Sequence, residues 1–356
     1  MEYWMDALGS NWEDGRLILN VTNLFDYRFT IRNYDDEGLY SYEIEFLKKR
    51  IDAYCEVLMG ERKVEEMGDI QEVIVLIESE RAPKFKSCIP LLDHIQKIYP
   101  NQKIICSHHD WQEVDSNYIK IPSLNYLSSA IKGCGTQITE DPTEYDGEDY
   151  KISNDKERSK LFITTHKTRR IHKDKQIRFL RENNLEERGL VSIAWERKYL
   201  EDNLKGQILA EIEIKNKQTN PMKAFYHQVF SDISCESLHG HDSYSGIGHF
   251  QSEKIFKPFI YGVIPMITTW KDSDKPLRVL GLDLFDDVID TSFWNEEDLE
   301  KKFTIIKNNI FTIEKDCVED NKFKNSIWTR LLDNQSKILN ASNVKKFINH
   351  YKGEKK

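Results

Sequence analysis

Short apolar runs alternate with amphipathic stretches through the first half of the chain. The continuous β-branched run at 73–77 is typical of a central parallel strand, and shorter apolar runs at 17–21 and 104–106 predict two more strands. Apolar residues recur every three to four positions at 40–59 and 89–98, which predicts helices. Strand, helix and strand in this order predict a βαβ unit of an open twisted sheet.

The alternation starts again in the second half. Residues 160–164 and 191–195 predict strands, with a basic turn and a helix at about 172–184 between them. Beyond Glu296 the pattern is helical to the end. Between the two halves, residues 133–158 are acidic, punctuated by Gly and Pro, and poor in apolar side chains, which predicts an interdomain linker.

These patterns predict an α/β protein with two domains. A chain of 356 residues is long enough to form two cores of ordinary size. We expect an N-terminal domain at 1–150, a second domain at 151–300 and a C-terminal helical segment at 301–356.

Composition narrows the class of protein. Charged residues make up 31% and hydrophobic residues 39%, the balance of an ordered globular protein. The net charge of −9 argues against a general nucleic-acid coat, so nucleic acid is not an expected partner. No apolar run approaches the length of a membrane span and the N-terminus lacks signal-peptide features, so we expect a cytoplasmic protein. The six scattered cysteines predict buried, reduced thiols.

One stretch of the second half combines a capping residue, a charged pair, an apolar stripe and a strand-like run. Ser252 is a good N-cap, Gly262 is suited to end the helix, and residues 263–267 then predict a buried strand. Lys254 and the first backbone N–H groups would lie together at the positive end of this helix, where an anion such as a diphosphate binds. Pro258 falls inside the helix, so we expect a bend there.

The motifs Ser-Glu-Lys-Ile-Phe-Lys-Pro at 252–258 and Gly-Val-Ile-Pro at 262–265 resemble the donor-site signature of fucosyltransferase-like glycosyltransferases, including their viral and bacterial relatives. In that family a Thr-Glu-Lys triplet opens the helix, and Ser252 keeps the capping hydroxyl of the threonine. The resemblance extends over about 160–295. It implies a GT-B type of fold, in which two Rossmann-like domains face a cleft, with the acceptor domain first and the nucleotide-sugar domain second.

A second block of motifs follows the first strand of the second half. Seven Lys or Arg residues lie between 167 and 181 against a single acid. A basic turn between a strand and a helix suits phosphate recognition, and a solvated basic helix face is the alternative. The block resembles the family's Arg-x-His-Arg motif with Gly-Leu-x-Ser downstream, which implies that Arg170, His172 and Lys173 bind the donor. His166 stands where the family often has an asparagine.

The resemblance also implies roles for residues of three further segments. Glu236, at the end of a strand-like segment, would face the sugar or the nucleotide, and Glu253 would hold the ribose hydroxyls. Lys254 would neutralise the diphosphate as the glycosidic bond breaks, with Ser252 opening the turn beside it. Asp290 lies in a segment similar to the family's Ile-Asp-Glu-Ser-Tyr, where nucleotide contact and turn capping are the two interpretations.

An inverting transfer needs a general base that deprotonates the acceptor hydroxyl across the cleft from the donor. The carboxyl ends of parallel strands line such a cleft. Glu80, which follows the strand at 73–77, and Asp110, which follows the strand at 104–106, are therefore the first candidates. Each is also consistent with an ordinary surface loop residue.

Two segments resemble metal sites. His239, His241 and Asp242, with His249 downstream, lie in a stretch rich in Gly and Ser, which predicts a mobile substrate loop rather than a zinc site. The segment 272–274, Asp-Ser-Asp, is similar to the Asp-x-Asp of metal-dependent sugar transferases but lies in a polar turn. We expect no metal and no cofactor beyond the donor substrate.

These expectations combine into one function with two alternatives. The resemblance implies a glycosyltransferase that moves a sugar from a nucleoside diphosphate to a hydroxyl of a glycan acceptor, with inversion and without a metal. By analogy with fucosyltransferases, the sugar would be fucose-like and carried by GDP. The basic segment at 167–181 leaves open an enzyme that glycosylates modified nucleic-acid bases. The weak signal for a general base leaves open an inactive module that binds sugar nucleotides or glycans.

Overall fold

The structure is a computed structural model of the chain. It describes residues 16–21, 41–60, 71–77, 85–108, 110, 116–124, 127, 130–131, 158–167, 169–198, 225–236, 252–319 and 321–353. Glu80, residues 133–157 of the predicted linker, and the predicted substrate loop with its three histidines lie outside these residues.

The described residues form two compact units, each built on a parallel four-stranded sheet with helices. The first unit contains the described residues up to 124 together with 345–353, and the second contains those from 127 to 344. The chain is therefore a mixed α/β protein, as the alternation of apolar runs and amphipathic stretches predicted.

The elements of the first unit follow the predicted order, with one further strand at the end that was not predicted. They are β1 (Arg16–Asn20), α1 (Ser41–Gly60), β2 (Glu72–Ile77), α2 (Phe85–Ile98), β3 (Lys103–His108) and β4 (Ile119–Pro122). The sheet order is β1-β2-β3-β4, and each neighbouring pair is parallel. Residues 73–77 of β2 are all buried, which explains their unbroken apolar run, because a central parallel strand has both faces covered.

The core of the first unit lies between this sheet and its two helices. α1 and α2 contribute apolar residues spaced three to four apart, which places them on one face of each helix. The buried residues that form this core include Leu17, Leu19, Leu47, Ile51, Val73, Val75, Ile77, Phe85, Leu91, Leu92, Ile95 and Cys106.

The second unit begins with β5 (Lys160–His166), α3 (Ile171–Glu182), β6 (Gly189–Ile193), β7 (Val229–Asp232), α4 (Lys257–Tyr261) and β8 (Ile264–Pro265). Its sheet order is β6-β5-β7-β8, again with parallel pairs. Gly189 lies opposite Phe162 in the β5–β6 register. A Cβ atom at Gly189 would stand 2.2 Å from the Phe162 ring, so close packing of the two strands requires glycine there.

Helices continue to the end of the described chain, as predicted beyond Glu296. They are α5 (Asp274–Val279), α6 (Leu299–Ile313), α7 (Asn321–Leu339) and α8 (Ala341–Lys352), with a π-helical turn (Glu314–Glu319) after α6. The side chain of Asp298 caps α6 by accepting from the backbone N–H groups of Glu300 and Lys301. None of the helices in the described ranges is long and apolar enough to cross a membrane.

The predicted helix that starts at Ser252 differs from the expectation. The segment is divided into a 3-10 turn (Glu253–Ile255) and the five-residue α4, and Pro258 lies in the first turn of α4. A proline is tolerated there because its missing N–H would have no helical partner. The predicted bend is thus a restart of the helix. Gly262 ends α4 in the left-handed conformation, with φ 66°, as predicted.

Candidate anion-binding site

The second sheet has a topological switch point beside β5. The chain passes from β5 outward to β6, then crosses back and places β7 on the other side of β5. Open parallel sheets bind ligands at such points, outside the carboxyl ends of the strands. β5 ends at His166 and leads to α3, while β7 leads to Glu236. The predicted donor residues of these two segments therefore follow the strands that flank the switch point.

Lys173 lies in the first turn of α3 and is only 3% exposed. Its ammonium group forms no ion pair or hydrogen bond with any of the described residues. Burial, followed by the positive charge of Lys254, lowers the pKa of Lys173 to about 8 from an ordinary value of 10.5. A buried cation is costly unless an opposite charge compensates it. An anionic ligand would supply that charge.

The N-terminus of α3 favours the same kind of ligand. The helix has twelve residues, and Arg170 before it has an extended backbone and no capping hydrogen bond from its side chain. Helix N-termini carry a partial positive charge and bind anions. The helix dipole and the Lys173 side chain therefore act in the same direction.

A chain of hydrogen bonds that begins at Glu236 fixes the backbone of Lys254. The carboxylate of Glu236 is fully buried and accepts from the backbone N–H of Ser252 at 3.0 Å and from its hydroxyl at 2.6 Å. The same hydroxyl accepts from the backbone N–H of Lys254 at 3.3 Å, so Ser252 caps the 3-10 turn as predicted. Within the described part of the chain, the Lys254 ammonium has no carboxylate partner.

The electrostatic state of Glu236 follows from this arrangement. Burial raises the pKa of Glu236, while the charge of Lys254 and the hydrogen bonds from Ser252 oppose the rise. Both carboxylate oxygens accept from Ser252, so neither is committed to a lysine. Glu236 therefore positions the turn that carries Lys254 without neutralising its charge by direct contact.

Glu253 pairs with Lys257 one helical turn further on. The Nζ of Lys257 donates to Oε1 of Glu253 at 3.2 Å. Burial acts to raise the pKa of Glu253, but Lys257 and Lys254 outweigh it, and the pKa lies below its ordinary value. The side chain is 36% exposed. An ionised, accessible carboxylate can accept hydrogen bonds from hydroxyl groups, which is the chemistry that was predicted for Glu253.

A buried polar layer adjoins Lys173 on α3. His172 is fully buried, and Gln176 joins α3 to the segment after β7. The amide Nε2 of Gln176 donates to the backbone carbonyl of Ile233 at 2.6 Å, and Oε1 accepts from the Cys235 thiol at 3.1 Å. These contacts fix α3 against the strand end that delivers Glu236.

The remaining predicted donor residues are Arg170 and Asp290. Arg170 is half-buried directly before α3, and its charge contributes to the lowered pKa of Lys173. Asp290 is exposed, and its carboxylate accepts from the backbone N–H of Ser292 at 2.9 Å, which caps a 3-10 turn (Thr291–Trp294). The turn-capping interpretation of Asp290 is therefore what its contacts show, and nucleotide contact stays a prediction.

Asp110 in the first unit is fully buried. Its Oδ2 accepts from the backbone N–H of Phe85, the first residue of α2, at 3.2 Å, and its own N–H donates to Nδ1 of His108 at 3.0 Å. These contacts tie the end of β3 to the start of α2. The role of Asp110 as a general base stays a prediction, as does that of Glu80.

Metal ligands do not cluster among the residues that the structure describes: no group of three His, Cys, Asp or Glu side chains there has the geometry to hold a metal ion. Asp272 and Asp274, the pair similar to an Asp-x-Asp motif, instead form ion pairs with Lys275 and Arg278. The Arg278–Asp274 pair joins the last turn of α5 to its first residue. Arg278 also forms an ion pair with Asp286, beyond the helix, at 2.7 Å.

The sequence interpretation missed two residues of this region, Gln176 and Trp195. The burial of Gln176 could have been predicted from the sequence, since positions 173, 176, 177 and 180 occupy one buried face of α3. Trp195, which was expected in a strand at 191–195, lies in a 3-10 turn (Ala194–Glu196) that begins where β6 ends. Strand ends at this edge of a parallel sheet line the ligand crevice, which is the signal that could have identified Trp195.

The fold and the site together define an α/β protein with a cationic site at the switch point of its second parallel sheet. Comparisons with protein-family models, with curated proteins and with solved structures found no match.

Proposed function

We propose that the chain is a glycosyltransferase that transfers a sugar from a nucleoside-diphosphate donor to a hydroxyl of a glycan acceptor, with inversion and without a metal. The observation that supports this proposal best is the buried ammonium of Lys173, which lies near Lys254 and has no carboxylate partner among the described residues. Two such cations beside a helix N-terminus fit a diphosphate better than a neutral ligand. The resemblance of 252–258 to a fucosyltransferase-like donor signature supports a sugar nucleotide, with GDP-fucose the nearest analogy.

The chemistry assigns a role to each charged group. Breaking the glycosidic bond leaves negative charge on the diphosphate, and cations that are already in place stabilise it without reorganisation. Lys173 and Lys254 supply this charge in the proposal, with Arg170 as a third cation next in the chain to α3. Glu253 accepts from the ribose hydroxyls, while Glu236 holds the turn that carries Lys254.

The acceptor side of the proposal rests on the first unit, as the GT-B analogy implies. A general base must reach the proton that it removes. The Asp110 carboxylate is fully buried and accepts from a backbone N–H, so we place Glu80 ahead of it as the base. Substitution of each by its amide in a transfer assay distinguishes them, because loss of the base lowers kcat and leaves donor binding unchanged.

The first experiment is a thermal-shift and calorimetric screen of inorganic diphosphate and nucleoside diphosphates. We expect the wild-type chain to bind, and Lys254→Ala and Lys173→Met to lose most of that binding while remaining folded. Lys175→Met is the matched control, because Lys175 lies on the exposed face of the same helix. Equal binding by the wild type and by both site variants would refute the phosphate role.

Hydrolysis or transfer of a sugar nucleotide then separates an enzyme from an inactive module. An inactive module binds the nucleotide and shows no donor turnover, even at high enzyme concentration and long incubation. The base-modifying alternative is less well supported, because Arg169 and Arg181 of the basic segment are paired with Asp174, Glu186 and Glu196. Salt-dependent binding of DNA by the chain would support this alternative.

A further inference from the structure

Trp195 occupies a 3-10 turn (Ala194–Glu196) directly after β6, at the carboxyl edge of the second sheet. Its side chain is half-buried, and its indole ring lies 6.0 Å from the ring of His166, centroid to centroid, at an angle of 42°. The indole N–H makes no hydrogen bond to any residue that the structure describes. A half-exposed aromatic side chain with a polar N–H group thus lies at the carboxyl edge of the sheet.

The turn that carries Trp195 is anchored on both sides. The backbone groups of Ile193 and Lys198 exchange two hydrogen bonds, at 2.7 and 3.2 Å, and close the loop. Arg181 of α3 binds the carboxylate of Glu196, the residue after the tryptophan. Arg197 adopts φ 55°, a left-handed conformation that is unfavourable for a residue with a side chain and persists only where its surroundings enforce it. Trp195 is therefore presented on a fixed loop.

His166 connects this aromatic surface to the two lysines. It is buried at the end of β5, between the neighbouring strands β6 and β7 in the sheet order. Burial, followed by the charges of Lys173 and Lys254, lowers the pKa of His166 to about 3, so the ring is neutral at neutral pH. The neutral His166 ring thus lies beside the Trp195 ring, and the charges of Lys173 and Lys254 are close enough to lower its pKa.

We propose that Trp195 is the surface on which the base of the donor nucleotide stacks, with the diphosphate over Lys173 and Lys254. The inference rests on the proposed function and extends it to base recognition. A nucleoside diphosphate has a flat π-system at one end and two anionic groups at the other. The carboxyl edge offers matching chemistry, with an indole after β6 and cations in the first turn of α3, after β5, and in the 3-10 turn (Glu253–Ile255), after β7. Stacking accepts every base, and a purine offers the larger surface.

The test compares inorganic diphosphate with purine and pyrimidine nucleoside diphosphates by titration calorimetry of the full chain. We expect Trp195→Ala to weaken nucleoside diphosphates by about tenfold or more, in line with the usual effect of removing a stacking side chain. Inorganic diphosphate should bind Trp195→Ala as well as it binds the wild type. Trp195→Phe should keep most of the affinity, because a phenyl ring also stacks.

The outcomes separate the two proposals. Unchanged affinity of Trp195→Ala for nucleoside diphosphates would overturn base stacking and leave the diphosphate site intact. An equal loss for nucleoside diphosphates and inorganic diphosphate would also overturn it, because Trp195 would then support the fold of the site. Failure of the wild-type chain to bind inorganic diphosphate, or full binding by both Lys254→Ala and Lys173→Met, would overturn the proposed function itself.

Discussion

Replacing Lys173 by methionine should stabilise the free protein while it removes anion binding. Lys173 is 3% exposed and has no carboxylate partner in the described ranges, so its charge is held in the folded chain at a cost. Methionine has a similar length and volume and carries no charge. A residue that is retained for a ligand rather than for the fold is expected to show this opposition between stability and binding.

The pKa of Lys173 sets the size of the effect. Its value is about 8 in the folded chain against an ordinary 10.5. At about 1.4 kcal/mol for each pH unit, this difference corresponds to roughly 3 kcal/mol between the charged and neutral forms. We take this as an upper limit and expect Lys173→Met to raise the free energy of unfolding by about 1–3 kcal/mol at pH 7.

The sign of the pH dependence follows from the same two values. Below pH 8 the folded and unfolded chains both hold the proton, so the full cost of the buried charge is present. Between pH 8 and 10.5 the folded chain has released the proton that the unfolded chain still binds, so the wild-type stability rises with pH. The advantage of Lys173→Met should therefore shrink as the pH rises through this window.

The assay is chemical denaturation of the full chain at pH 7 and pH 9.5, with two control variants. Lys302 has the same lowered pKa of about 8, but its Nζ donates to the carbonyl of Thr269 at 2.5 Å, so Lys302→Met should not stabilise the chain. Lys175→Met, on the exposed face, should change little. A destabilised Lys173→Met at pH 7, or a difference that does not depend on pH, would refute the reasoning.

Three further predictions concern the same unit. Gly189→Ala should destabilise the chain by about 1–3 kcal/mol in denaturation, because the new Cβ would overlap the buried Phe162 ring; an unchanged midpoint would contradict this contact. Ser252→Ala should cost about 2–3 kcal/mol, since it removes a cap and a donor to the buried Glu236, whereas Ser252→Thr should keep both. Affinity for inorganic diphosphate should fall above pH 8 as Lys173 loses its proton, and a flat calorimetric profile from pH 7 to 9 would contradict this.

Strands and helices with strong periodicity were predictable from the sequence. The run at 73–77 became β2, and the stripes at 40–59 and 89–98 became α1 and α2, because a buried parallel strand and an amphipathic helix each impose their own period. β4 (Ile119–Pro122) was not predicted, since four residues of mixed polarity carry no clear period. The strand expected at 263–267 is regular only over Ile264–Pro265, although backbone hydrogen bonds to the end of β7 and the segment after it continue from Met266 and Thr268.

The site was predictable where its chemistry is local. Ser252 caps the next turn because its hydroxyl reaches a backbone N–H two residues away, which sequence spacing alone determines. The bond from Glu236 to Ser252 spans sixteen positions and depends on how the segment after β7 meets the 3-10 turn. The positive end of a long helix at Ser252 was also expected, but the helical dipole at the site comes from α3, because Pro258 restarts the other helix.

The carboxylates near the lysines show how a chain with a net charge of −9 keeps a cationic site. Asp232 accepts from the Tyr226 hydroxyl at 2.6 Å and from the Ser234 N–H at 2.8 Å, and Glu236 accepts twice from Ser252. Burial raises the pKa of both acids. Each carboxylate thus binds neutral donors from its own unit, and neither forms an ion pair with Lys173 or Lys254 within the described residues. Neither carboxylate therefore neutralises the positive charge at the switch point by direct contact, which is the physical basis for the proposed anion site.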